Sequence, residues 1–168
     1  EQASGARHLR AVGTELRGAR RHAMTRRSAL VMTVVHHPGD ARIRHRQLPA
    51  LLAAGWDVTY VAPFTGYGLP LPADNAATAG QLRHVDTPRA RGRRRARAWR
   101  HARRTLRELG PNHDVILLHD PELLLALPRS LRERTVWDVH EDTAAAVVAK
   151  AWLPRTLQAA GAAAVRRC

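Results

Sequence analysis

Three clusters of ionisable residues interrupt a sequence otherwise rich in alanine and arginine: His36, His37, Asp40 and Arg42; His119, Asp120 and Glu122; His140, Glu141 and Asp142. Each follows a short apolar run directly: ALVMTVV over 29–35, DVILL over 114–118 and TVWDV over 135–139. Histidines and carboxylates gathered in one place can orient a substrate through paired hydrogen bonds, because neutral imidazole donates and accepts at once. His119, Asp120, His140 and Asp142 could instead hold a divalent ion, although no histidine pair four apart on one helix supports that use. Plainer uses exist as well. Asp40 ahead of a helix is a natural N-cap. Pro121 and Glu122 suit the first turn of a helix, where proline lacks nothing and an acid meets the positive dipole end. His36 and His37 cannot both face the same way, so at most one of them is expected to serve a ligand.

The elements that must position these clusters read as strand–helix alternation. A strand over 29–35, apolar and β-branched throughout, suits burial on both faces. A helix follows over 41–54, within which Pro49 must cost a hydrogen bond or cause a kink, and Gly55 closes it. A second strand is expected over 57–62, a long loop over 64–81 and a weak third strand over 81–86. An arginine-rich helix within 89–107 carries Trp99, Ala102, Leu106 and Leu109 on its apolar side. Strand four (114–118), a short helix ending near Pro128, strand five (135–139), and helices over 143–152 and 155–167 complete the pattern. Such alternation means a parallel sheet covered on both faces, a Rossmann-like α/β fold. In the usual doubly wound order, strands one, four and five are neighbours, so the three clusters converge on the carboxyl rim where such folds bind ligands. Trp56, Trp137 and Trp152 read as packing residues, and the rim around Pro63 and Thr87 reads as bland. Residues 28–168 form one domain in this reading, and 1–27 a basic extension.

Composition narrows the rest. The 168 residues are 45% hydrophobic and carry a net charge of +14, with 28 basic against 14 acidic side chains. Apolar content is too high for a disordered tail, and no apolar run approaches the ~20 residues that a membrane span needs. The start of the chain has no apolar segment of the secretory type. Cys168 stands alone, which points to a reducing, cytoplasmic setting. The charge is concentrated: residues 1–27 and 89–107 hold all of the excess, and the remainder is close to neutral. The segment 89–107 could be a solvated face, a contact for anionic lipid at the inner face of a membrane, or a phosphate contact for nucleic acid. The scarcity of aromatic stacking residues argues against the last. No GxGxxG, GxxxxGK[ST] or GxSxG pattern follows a strand, so classical dinucleotide, P-loop and nucleophile-elbow chemistries are excluded.

Four stretches taken in order, VHHPGDARIRHRQLPALLAAGWDVTYVAP (35–63), DVILLHDPELL (114–124), VWDVHED (136–142) and AKAWLP (149–154), resemble the N-terminal half of GT-B glycosyltransferases of retaining family 4. The resemblance implies a nucleotide-sugar donor, a glycan or lipid-linked acceptor, and a reaction in the cleft between two Rossmann-like domains without an obligatory metal or other cofactor. It implies that His140 approaches the donor sugar, supported by Asp138 and Glu141, and that Asp142, His119, Asp120 and Glu122 bind acceptor hydroxyls. Asp40 and Arg42 match the first-loop positions, where Arg42 would face a phosphate. Only Gly39 stands where many relatives carry paired glycines. The donor-binding C-terminal domain, with its two glutamates eight apart, does not occur in these 168 residues. The expectation is therefore an acceptor-side domain, inactive without a C-terminal partner. The competing expectation is a non-enzymatic module that binds polyanions through 89–107.

Overall fold

The protein is seen here as a computed structural model, which describes residues 26–76 and 80–139. In chain order the strands are β1 (Ser28–Met32), β2 (Asp57–Ala62), β3 (Asn75–Ala76), β4 (Gln81–Asp86), β5 (Val115–Leu118) and β6 (Thr135–Trp137). The helices are α1 (Leu48–Ala53), α2 (Arg95–Leu109) and α3 (Pro121–Ala126). The sheet runs β3-β4-β2-β1-β5-β6, parallel except for β3, which pairs antiparallel with β4. This is a Rossmann-like α/β arrangement, and β1, β5 and β6 are neighbours.

Strand periodicity sends alternate residues to opposite faces. Leu30, Met32, Val61, Ile116 and Leu118 pack beneath α2 and α3. Val31, Val58, Tyr60, Ala62 and Leu82 pack with Ile43 and Leu48 on the other face. Burying each of the larger aliphatic side chains contributes about 1.5–3 kcal/mol, so this double-sided burial is what holds β1 at the centre. The outer end of β1 is fastened to β5: the Ser28 amide and hydroxyl donate to Asp114 at 2.7 and 3.0 Å, which lowers the Asp114 carboxyl below its ordinary value.

Several boundaries differ from expectation for physical reasons. β1 ends at Met32, because the amides of Val34 and Val35 turn to a side-chain carboxylate instead of a neighbouring strand. The expected loop over 64–81 contains the edge strand β3 and a short 3-10 turn, Thr65–Tyr67. Pro49 is accommodated by a local distortion of the helix. The preceding turn, Ile43–Gln47, widens to a π-helix, with the Leu48 amide donating to Ile43 O, which makes room for a residue that lacks a donor. Gly55, at φ 79°, closes α1 in a Schellman motif: Trp56 N donates to Leu51 O at 3.0 Å and Gly55 N to Leu52 O at 2.9 Å.

The basic segment 89–107 is not one helix. Arg89 and Arg91 lie outside any helix, with Arg91 N donating to Arg89 O at 3.1 Å, Gly92–Arg94 forms a 3-10 turn, and only then does α2 begin. On α2 the buried stripe is Ala98, Ala102, Thr105 and Leu106, whereas Trp99 is exposed rather than packed on the apolar side. The small alanines let α2 lie close to the sheet. Arg26 and Arg27, assigned by sequence to the extension, already join the domain: Arg27 O accepts the Asp57 amide at 2.9 Å, and Arg26 pairs with the Asp57 carboxylate at 3.7 Å. The helices expected over 143–152 and 155–167 lie outside the described residues.

Candidate functional site

The carboxyl ends of β1, β5 and β6 are laced by backbone bonds. His119 N donates to Met32 O at 3.1 Å, and Asp138 N donates to Leu118 O at 2.9 Å. These bonds fix where each following side chain emerges. Asp120, at the start of α3, does not cap that helix with its side chain. Its carboxylate turns back under β1, where Oδ2 accepts from Thr33 Oγ1 (2.9 Å), Val34 N (2.5 Å) and Val35 N (3.2 Å), and Oδ1 faces His36 Nε2 at 3.3 Å. Asp120 is 1% exposed. Burial pushes its carboxyl up, and the donated hydrogen bonds with the His36 charge only partly offset this.

Above that buried anchor sits a second cluster centred on Asp138. Its Oδ2 accepts from Gln47 Nε2 at 2.6 Å, and lies 3.3 Å from His119 Nδ1 and 3.4 Å from Arg42 Nε. A carboxylate against one nitrogen of an imidazole fixes the orientation of the ring, which is how histidines are held for positioning or proton exchange. Three groups, from the segments that follow β1 and β5, therefore meet at one oxygen of a residue that follows β6. The widened turn before Leu48 carries Gln47 to it.

The residues named from sequence divide accordingly. Asp40 is an N-cap, accepting from Arg42 N at 3.0 Å and Ile43 N at 3.3 Å. Burial raises its carboxyl, yet these amides, with the Arg42 and His36 charges, hold it below the ordinary range. Arg42, partly exposed, joins Asp138. His119 and Asp120 reach the rim but are buried, so they support it rather than open onto solvent. Glu122 is drawn to α2, where both of its carboxylate oxygens accept from Arg95 Nη1 at 2.8 and 3.0 Å. His36 and His37 diverge: His37 is exposed, stacks edge-on against Tyr67 at 4.8 Å and accepts the Gly39 amide. His140, Glu141 and Asp142 lie outside the described residues. Asp138, which sequence reading gave only a supporting role to His140, is the hub of the described rim.

A second feature lies beyond β2 and β4, on the rim that the sequence made look bland. There a cleft of about 820 Å³ opens between the loop after β2 and the arginine segment after β4. Gly66 allows this approach: a Cβ on it would stand 2.6 Å from Arg89 Cβ. The arginine run was visible in the sequence, but its folding back over Thr87 was not.

Among the described residues no three His, Cys, Asp or Glu side chains gather closely enough to hold a metal ion; His140 and Asp142, half of the rival metal set, lie outside them. Likewise, no described helix is long and apolar enough to cross a membrane. Compared with protein-family models, with curated protein sequences and with solved structures, the chain matches none.

Proposed function

We propose that this chain is the acceptor-side Rossmann-like domain of a GT-B glycosyltransferase that moves a sugar from a nucleotide-sugar to an acceptor hydroxyl. The observation that supports this reading best is the meeting of Arg42, Gln47 and His119 at one oxygen of Asp138, on the carboxyl rim where such folds bind ligands. In the reaction, the acceptor oxygen bonds to the anomeric carbon, the bond from that carbon to the phosphate oxygen breaks, and a nucleoside diphosphate leaves, its freed oxygen taking up the proton of the acceptor hydroxyl. On the acceptor side, Asp138 and Arg42 meet the incoming hydroxyl, while His119 holds Asp138 in place as a positioning residue. His140, two residues beyond Asp138, takes the role that the resemblance gives it toward the donor sugar. A second Rossmann-like domain would bind the nucleotide.

The test is release of nucleoside diphosphate from a panel of nucleotide-sugars, using the chain alone and together with any domain encoded downstream of it. His140→Ala is expected to lower turnover by about 100-fold and Arg42→Gln by about tenfold, each with unchanged circular dichroism. Turnover that survives His140→Ala intact, or no release from any nucleotide-sugar by the paired domains, sinks the proposal.

A further inference from the structure

We propose that the cleft beyond β2 and β4 is a binding site for a small ligand bearing a phosphomonoester or pyrophosphate group. This site is separate from the rim at Asp138 and does not rest on the glycosyl-transfer reading.

The first support is an excess of positive charge. Arg91, Arg93, Arg94 and Arg97 line the cleft, and none pairs with a carboxylate among the described residues. Their neighbours Arg95 and Arg104 do pair, with Glu122 and Glu108. With Arg89, five like charges around one concavity outnumber the single Asp86 carboxylate and repel each other, and a multiply charged anion relieves that repulsion. Guanidinium forks match phosphate oxygens in geometry as well as charge.

The second support is a donor with nothing to bond. Thr87 lines the cleft at 1% exposure, and its Oγ1 has no hydrogen-bond partner among the described residues. A buried hydroxyl left unmatched destabilises the fold, and a phosphate oxygen would give it the partner it lacks. The one carboxylate among the lining residues, Asp86, is engaged elsewhere: Thr65 N donates to its Oδ1 at 3.0 Å and Thr65 Oγ1 to its Oδ2.

The third support is preorganisation. The Arg89 guanidinium lies 3.6 Å over the Tyr67 ring, and Tyr67 is itself fixed by its hydroxyl donating to Val35 O at 2.6 Å. Gly92, at φ +51°, turns the chain between Arg91 and Arg93 so that arginines on both sides of it line the same cleft. A volume of about 820 Å³ suits a ligand of sugar-phosphate or nucleotide size. A nucleic-acid polymer would want stacking rings along a groove, and the nearby Trp99 lines a different, apolar groove with Leu123 and Leu125.

The phosphate could arrive on a soluble molecule or on a lipid headgroup, and the test separates the two. Inorganic pyrophosphate is titrated calorimetrically into the whole chain, and in parallel the chain is sedimented with phosphatidylcholine vesicles containing phosphatidic acid. Arg91→Gln with Arg94→Gln is expected to weaken pyrophosphate binding about tenfold or more, and Thr87→Val several-fold. Arg100→Gln with Arg107→Gln removes the same charge from outside the cleft and should leave affinity within about twofold. Pyrophosphate binding with no vesicle binding assigns a soluble ligand. Vesicle binding that pyrophosphate displaces, and that the cleft pair alone abolishes, assigns a headgroup. Equal losses in the two double variants would reveal bulk electrostatics and overturn the site, as would failure to bind either probe.

Discussion

Two stretches of one sheet rim solve the problem of charge in opposite ways. Beyond β1, β5 and β6, each described charge has a named counterpart: Asp120 with His36 and two backbone amides, Asp138 with Arg42, His119 and Gln47. Beyond β2 and β4, five arginines line a cleft whose single carboxylate, Asp86, is bonded to Thr65, and among the described residues a threonine hydroxyl there stands unmatched. The first stretch spends its polar groups on internal order. The second keeps them available. A compensated cluster stabilises the fold, whereas an uncompensated one is inexpensive to alter for the fold and costly to alter for a ligand.

The largest effect that should separate the two stretches is Asp120→Ala. It strands three buried donors, and we expect a loss of about 3–5 kcal/mol in urea unfolding; a loss under about 1 kcal/mol would break the contrast. Gly66→Ala comes next. Its Cβ would press on Arg89 and lever the cleft wall outward, for a cost of about 1–3 kcal/mol, together with weakened pyrophosphate binding. The smallest is the double change of Arg91 and Arg94 to glutamine. Its unfolding free energy should stay within about 0.5 kcal/mol of the parent, because those side chains hold nothing in place.

Acidity sharpens the comparison, since the two sides titrate with opposite sign. Burial holds the Asp120 carboxyl above its ordinary 3.8, so the native state binds that proton first. Its contribution is full below that value and is lost as pH rises through the native one. His84, on β4 between the Tyr60 and Phe64 rings, is held below its ordinary 6.5 by burial and then by Arg44, with Asp74 pulling the other way. Its contribution is present above 6.5 and is lost as pH falls through the native value. As pH falls from about 7.5 to about 5, His84 therefore lowers the unfolding midpoint, and His84→Gln should remove that contribution; an unchanged pH dependence in the variant excludes it.

Much of this was legible in the chain. The apolar run over 29–35, the Gly55 stop and the turns after each run were enough to expect a parallel sheet with β1, β5 and β6 side by side. Local signals also identified Asp40 as a capping residue. What escaped was set by contacts between distant segments. Nothing near Asp120 in sequence says that its carboxylate belongs to residues 33–35, and this is what shortens β1. Trp99 looked like a core residue by spacing alone, but Ala98 and Ala102 bring the helix too close to the sheet for an indole. The cleft depends on Gly66 meeting Arg89, a close approach between two loops that neither stretch of sequence announces.

The bond from Val34 N to Asp120 Oδ2 joins positions 86 residues apart. Such a contact forms only after β5 has docked on β1, so the rim at Asp138 is assembled late, once the long loop between the two strands has closed. Val34 therefore carries a built-in report on the whole fold. Its amide proton should exchange with solvent only when the domain opens globally, at a rate set by the full unfolding free energy.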